Sequence, residues 1–288
     1  MFHSTFRFLC CLGLLINVSH ASETCHLTLV YKDNGKTGYM APSPSNEGLY
    51  KALYEEMAFN LGCTLTIQRY PKKRTHLLLK AGEVDLYPST GFDLERSEYL
   101  YYIPNGLYRY EFYYGLTPTG ITDITDISDI TNHGLTWIFE GGSTTIQTAE
   151  TFNVLNQPIP ELTDKRAITM LTKGRQVFYR MIKGDYLKYL EKHQLQDLKS
   201  LGVKAHKSCC KPKSHTLYTG ISRKSANYVE EINPDFKKKK TISAENFPFR
   251  LSKNTLAYRV ANEVKRLSDT GRVYELYHRY IIAPGHTQ

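Results

Sequence analysis

From His26 onward the chain alternates between two hydrophobic periods. "HLTLVY" (26–31) places apolar residues at every second position, the mark of a half-buried strand. After an irregular Gly/Pro/Ser stretch to Ser45, "NEGLYKALYEEMAFNLG" repeats Leu49, Leu53, Met57 and Leu61 at helical spacing, with Asn46 where a cap belongs and Gly62 where a helix stops. "TLTIQRY" (64–70) predicts a second strand. Pro71 stands at the first turn of a second helix that Gly82 closes, and residues 84–87 predict a third strand. Strands alternating with helices imply a parallel sheet, whose ligands bind beyond the carboxyl ends of the strands. The polar loop "PSTG" (88–91), followed by Arg96, falls at such an end.

A second series follows. "LYRYEFYYGLTPTG" is a long extended tract able to cross between domains, and "ITDITDISDI" is a polar connector with a short helical turn at best. "GLTWIF" predicts a strand, Gly141 to Thr144 a turn and cap, and residues 145–155 a helix. A helix near 164–173 leads to the strand "RQVFYRMI", and Gly184 and Asp185 open another helix, "YLKYLEKH". "HTLYTGIS" (215–222) is again extended and brings the chain back. The final stretch carries Leu256, Val260, Val264 and Leu267 on one helical stripe, then a Thr270-Gly271 break and a short amphipathic helix. The pattern predicts an α/β protein of two lobes joined by two crossings, each a mainly parallel sheet flanked by helices. The expected division is 22–112 plus 218–288 for the first lobe and 113–217 for the second, with no close internal sequence repeat and an irregular, unplaced insertion at 233–249.

Composition adds a location and a surface. Residues 1–21 put Arg7 ahead of an apolar run (8–18) and end in Ser19-His20-Ala21, which predicts a cleaved secretory signal peptide; the run is too short to span a bilayer. A soluble protein outside the cytoplasm follows, and its retention implies the periplasm. The formal net charge is +9, and losing residues 1–21 removes Arg7 and no acid. The excess sits in Lys72-Lys73-Arg74, in Lys211 and Lys213, and in "FKKKK" (236–240). Without a recognition motif this reads as solvated surface, and no nucleic-acid partner is expected. The 22 tyrosines suit surfaces that are partly apolar and partly hydrogen-bonding, clefts included.

Of the six cysteines, Cys10 and Cys11 fall in the leader. Cys25 directly precedes the first strand and Cys63 the second. If those strands are parallel neighbours, both thiols lie at one sheet edge in an oxidising compartment, so a Cys25–Cys63 disulfide is expected. In "HKSCCKPKSH", His206, Cys209, Cys210 and His215 have spacings a metal can use, but a loop disulfide or free thiols is the favoured reading in an exported chain. No metal or cofactor is expected.

The helix "GLYKALYEEMAFNLG", then "LLLKAGEVDLYPSTGFDLERSEYLYYIP", "GLTWIFEGGSTT", "MLTKGRQVFYRMIKGDYLKYL" and "LSDTGRVYELYHRYI", in this order, resemble the periplasmic solute-binding proteins of family 3, a group that includes amino-acid-binding components of bacterial import systems. The resemblance implies a type 2 periplasmic binding fold closing on a small solute. It also implies a non-enzymatic monomer whose partner is a membrane permease or receptor. Carried over by position, Ser89, Thr90 and Gly91 touch the solute, and Arg96 forks onto its carboxylate. The competing use of Arg96 is pairing with Asp93, Glu95 or Glu98 on a surface turn.

On the other lobe, Gly142, Ser143 and Thr144 open a helix whose free amides suit an anion, or simply cap it. Glu140 would oppose a carboxylate placed there. Asp185 either receives the solute's amino group or caps its helix, the cap being favoured. The "PSTG" loop is one residue shorter than in the amino-acid binders and includes Pro88. Aromatic walls are sought among Tyr31, Tyr39, Tyr50, Tyr87, Tyr102 and Trp137, with Tyr31 and Tyr87 preferred because they stand at strand ends. The expected function is capture of a zwitterionic or anionic, amino-acid-like solute for an ABC-type importer. The alternatives are a ligand-sensing adaptor and, less favoured, an exported enzyme such as a dehydratase. No nucleophile elbow or paired-carboxylate signature supports the enzyme reading.

Overall fold

The computed structural model describes residues 25–209 and 213–282. The leader-like residues 1–21, with Cys10 and Cys11, and also Cys210 lie outside that set. In chain order the elements are β1 (His26–Lys32), α1 (Leu49–Asn60), β2 (Thr64–Tyr70), α2 (Lys72–Ala81), β3 (Leu86–Thr90), β4 (Leu100–Glu111) and β5 (Tyr113–Pro118). There follow α3 (Ser128–Asn132), β6 (Thr136–Glu140), α4 (Thr145–Thr151), β7 (Asn156–Ile159), α5 (Asp164–Thr172), β8 (Val177–Ile182), α6 (Lys183–Lys192) and β9 (Val203–His206). The chain ends with β10 (Lys213–Ser222), β11 (Glu230–Ile232), β12 (Phe249–Leu251), α7 (Leu256–Asp269) and α8 (Arg272–Tyr277).

Two five-stranded sheets organise these elements, in the orders β2-β1-β3-β10-β4 and β7-β6-β8-β5-β9. Both are mixed and follow one plan. Three strands run parallel, and two more continue the sheet antiparallel to their neighbours. The tract 100–118 supplies β4 to the first sheet and β5 to the second, and β10 returns the chain to the first. In the first unit the apolar stripes of α1 (Leu49, Leu53, Met57) and α7 (Val260, Val264, Leu267) cover the sheet together with Leu27 and Leu29. In the second, β6 alternates as its sequence demands. Ile138 joins the core of Ile168, Leu171 and Met181, while Trp137 and Phe139 enter a separate cluster with Phe178 on the opposite face.

The expected disulfide is present: Cys25 and Cys63 are bonded, with Cα atoms 4.5 Å apart, at the start of strands whose register runs from His26 opposite Thr64 to Lys32 opposite Tyr70. Cys209 is also disulfide-bonded. Both ring nitrogens of His206 are engaged, Nε2 with Thr117 Oγ1 at 2.7 Å and Nδ1 accepting from the Ile124 amide at 3.1 Å, so this histidine serves the core and not a metal. Among the described residues no three metal-ligating side chains cluster, and no helix is long and apolar enough to cross a membrane.

Several local expectations change. Asn46 does not cap α1, which begins after Gly48; its Oδ1 accepts from Arg69 Nη1 at 3.0 Å. Arg69 also donates to the carbonyls of Lys32, Asp33, Ala41 and Ser45, tying the irregular 33–46 loop to the end of β2. The third strand starts two residues later than predicted and runs through Pro88 to Thr90. Proline is tolerated there because the ladder to β10 shifts register between Tyr218 and Gly220. Its carbonyl accepts from Tyr54 Oη at 2.5 Å and Asn105 Nδ2 at 3.2 Å. Helix α4 stops at Thr151, and the short strands β7 and β9 follow patterns too brief to register as periodic. The insertion is held at its base by the antiparallel pair β11 and β12.

The Cys25–Cys63 link closes a loop with a sequence separation of 38. Chain-entropy reasoning puts its contribution at about 3–4 kcal/mol. The double variant Cys25→Ala/Cys63→Ala is expected to lower the urea-unfolding free energy by that amount. A loss well under about 1 kcal/mol would show that the strand pair needs no staple.

Candidate functional site

The carboxyl ends of the parallel strands in both sheets converge on one cleft of about 510 Å³. From the first sheet, β1 delivers Tyr31 and Lys32, β3 delivers Tyr87, Ser89 and Thr90, and the start of α2 delivers Lys72. From the second, β6 delivers Trp137 and Glu140, β8 delivers Tyr179 and Arg180, and the first turns of α5 and α6 deliver Asp164 and Asp185.

The first wall carries the predicted hydroxyls and arginine. Ser89 is buried, and its Oγ has no hydrogen-bond partner among the described residues. Thr90 Oγ1 donates to the Gly91 carbonyl at 3.0 Å and accepts from Arg96 Nη1 at 3.3 Å. Arg96 does not pair with its acidic neighbours. The Asp93 carboxylate accepts from the Arg96 backbone amide, at 2.9 Å, and not from its guanidinium, and Glu95 accepts from Gln147 Nε2 at 3.1 Å. The guanidinium crosses the cleft and donates through Nη2 to the Gly142 carbonyl at 2.7 Å. Tyr31 and Tyr87 lie side by side, ring centres 5.7 Å apart, and both line the cleft. Both rings also belong to the core of the first unit, as do Tyr39, Tyr50 and Tyr102, which do not line the cleft.

Glu140 does not stand as a bare charge opposing an anion. Its carboxylate reaches to the other wall, 3.2 Å from Lys72 Nζ and 3.5 Å from Lys32 Nζ, and accepts from Asn34 Nδ2 at 3.0 Å. Burial pushes this carboxyl up, but the two lysines and Asn34 hold it below the usual glutamate value. Burial in turn pushes Lys72 down to about 8, against the pull of Glu140. Lys72, grouped with a surface cluster by its sequence, has only 18% of its side chain exposed. Next to this contact, Gly142 has φ +82°, and a Cβ there would lie 3.2 Å from Lys73 Cα. Gly142 therefore seals the two walls together; it contributes a carbonyl to Arg96 and no surface to the cleft.

On the second wall, Ser143 Oγ is 2.9 Å from Thr145 Oγ1 and accepts from the Thr145 amide at 3.2 Å. Ser143 and Thr144 line the cleft at the start of α4; Thr144 makes no side-chain cap bond, and Ser143 takes the first helical amide. Asp185 does not cap α6 either. It sits in the first turn, and the boundary residue Ile182 offers no side-chain bond. Asp164, missed in the sequence, accepts from Tyr179 Oη at 2.7 Å. Burial pushes the Asp164 carboxyl above its usual value, the Tyr179 bond draws it back in part, and Asp185 raises it again. The Arg180 guanidinium stacks 4.5 Å from the Tyr113 ring centre and 5.2 Å from Trp137. The cleft thus carries Arg96 and a buried hydroxyl on the first wall, and Asp164 and Asp185 beside Arg180 on the second.

No protein-family profile matches the chain, and no curated protein sequence matches it. Solved structures do. An ancestral arginine-binding protein bound to arginine aligns with TM-score 0.59 at 13% identity, over 89% of this chain and 98% of that one. A putative L-cystine ABC transporter protein from Listeria monocytogenes aligns with TM-score 0.60 at 13% identity, over 90% and 97%. A histidine kinase sensor domain with similarity to periplasmic binding proteins aligns with TM-score 0.59 at 12% identity, over 90% and 96%. The chain has the two-lobed periplasmic binding protein fold. In this fold the paired sheets of like plan and the cleft at their carboxyl ends are one feature, because each sheet exposes its strand ends toward the other.

Glu140 supplies the ion pairs that span this cleft, so Glu140→Gln leaves Lys72, largely buried, without a counter-ion. The variant is expected to lose about 2 kcal/mol of stability, less than a fully buried pair because the site is partly wet, and to show a larger radius of gyration by solution scattering. Because the Glu140 carboxyl is held below its usual value, its contribution is complete above the free glutamate value of about 4.3 and is lost as pH falls further. Acid titration should therefore open the parent protein and leave the variant unchanged. An unchanged radius in both would sink the assignment of Glu140 as the contact across the walls.

Proposed function

We propose that the protein is a periplasmic solute-binding protein that captures a small zwitterionic, amino-acid-like solute and presents the closed form to an ABC-type importer. Its lobes are 22–112 plus 218–288 and 113–217, its leader is removed on export, and it acts without turnover. The observation that carries this reading is Arg96. Its guanidinium enters the cleft with a neutral carbonyl as its partner across the gap and no carboxylate partner among the described residues. A guanidinium presents paired donors matched to a carboxylate. The unpartnered Ser89 hydroxyl lies on the same wall, and Asp164 and Asp185 face it, suited to an ammonium. Glu140, neutralised by two lysines, removes the objection to a carboxylate.

A sensing adaptor uses the same cleft, and the likeness to a histidine kinase sensor domain supports keeping it as the second reading.

A thermal-shift screen of the protein against amino acids, organic acids and polyamines tests the proposal. A solute at about a hundred times its dissociation constant stabilises by about 2.7 kcal/mol. Arg96→Ala is expected to abolish that response while the unliganded protein melts nearly as before. Asp185→Asn is expected to weaken zwitterions and leave simple carboxylates unaffected. An undiminished ligand response in Arg96→Ala would overturn the clamp.

A further inference from the structure

The 233–249 insertion, unplaced by its sequence, is an ordered turn that carries lysines. Asn233 closes its base, its amide donating to the Pro248 carbonyl at 2.9 Å and its Nδ2 to the Phe247 carbonyl at 2.9 Å. Inside, one side-chain amide organises the loop. Asn246 Nδ2 donates to the carbonyls of Lys237 (3.2 Å), Lys240 (3.2 Å) and Thr241 (3.1 Å), and Asn246 Oδ1 accepts from the Lys237 amide at 3.0 Å. The turn is anchored to the first lobe by Tyr218 Oη donating to Glu245 at 2.5 Å and by the Arg223 guanidinium lying 5.4 Å from the Phe247 ring and 5.1 Å from Phe249.

Lys237, Lys238, Lys239 and Lys240 are all exposed on this platform. The nearby acids are mostly committed elsewhere: Glu230 to Arg223 at 2.6 Å, Glu231 to Arg250 at 2.7 Å, and Glu245 to Tyr218. Asp235 and Glu245 remain as exposed acids of the same turn, the latter still charged because its partner is a neutral hydroxyl, so the four lysines outnumber them and leave the run with a net positive field. Apolar side chains accompany it, Ile232 at 78% and Ile242 at 36% exposure.

We propose that this turn is a docking surface for an anionic lipid membrane. A protein partner would select differently, since lysine is depleted at protein interfaces and arginine supplies the forked pairing that carboxylates reward. Four strongly hydrated point charges beside exposed isoleucines match the diffuse charge and shallow apolar layer of a phospholipid surface. A folded turn also loses less freedom on contact than a disordered basic tail.

Sedimentation of the protein with vesicles tests this, using equal phosphatidylglycerol and phosphatidylcholine against phosphatidylcholine alone, at low salt. Binding is expected only to the anionic vesicles and should be released by high salt. Lys238→Glu/Lys239→Glu should reduce the partition coefficient at least about tenfold with an unchanged thermal midpoint, and Ile232→Ser should reduce it further. The control Lys188→Glu/Lys192→Glu removes the same charge from exposed positions of α6 and should retain binding. Absence of binding to anionic vesicles overturns the proposal, as does equal loss in both double variants, which would leave only net charge. Retention of polyglutamate by the same lysines without vesicle binding would reassign the surface to an acidic protein.

Discussion

A carboxylate that loses most of its water must find positive partners, and Glu140 finds them on the opposite sheet. It ends β6, while Lys32 ends β1 and Lys72 begins α2, so the contact forms only where both sheets bring their carboxyl ends together. This single requirement fixes how the walls face each other and how the cleft is charged. Glu140 with its two lysines leaves one positive charge on the Arg96 side, while Asp164 and Asp185 lie with Arg180 on the other wall. The close approach beside it favours a glycine at position 142: a side chain there would be strained by the positive φ and would press on Lys73.

The first wall depends on a second constraint. A strand containing proline cannot donate a full ladder, yet β3 must continue to Thr90 to carry Ser89 into the cleft. The register shift against β10 and the Tyr54 and Asn105 bonds to the Pro88 carbonyl meet that need. The resulting wall is stiff because the side chains behind it are buried aromatics, Tyr31 against Tyr50 at 5.3 Å and Tyr87 against His76 at 5.2 Å. Burial, followed by the nearby Arg96 and Lys72, holds His76 well below its usual value, so the ring beneath the wall stays neutral.

Much of this was legible in the sequence, for reasons that are local. Strand and helix periods placed both units. Cys25 and Cys63 each precede a strand, so parallel pairing alone joins them. The strand-end rule located Tyr31, Tyr87, Ser89 and Thr90 at the cleft. The features that escaped depend on distant partners. Lys72 sits in a basic triplet that reads as surface, and its burial follows from Glu140, 68 residues away in sequence. Asp164 and Tyr179 become one acidic pair only once α5 packs against β8. The two sheets share a plan without sharing a sequence repeat, because strand order is satisfied by many apolar patterns. Strands as short as β7 and β9 offer too few positions for any period to show.

The charges across the cleft also bear on how a solute closes it. The walls already meet through Glu140, through Gln147 and Glu95, and through Arg96 and the Gly142 carbonyl. A solute carboxylate arriving at Arg96 replaces a bond to a neutral carbonyl with a forked ion pair, which is the stronger of the two. That exchange releases one bond between the walls, so gripping the first wall alone would loosen the closed state. Closure is favoured only if the same molecule returns a contact to the second wall, where Asp164 and Asp185 offer negative charge to an ammonium. A ligand shifts a conformational equilibrium only by its differential affinity for the two states. The arrangement of Arg96 thus selects for solutes that carry both charges at once, and a simple carboxylate that binds well would still be a poor closer.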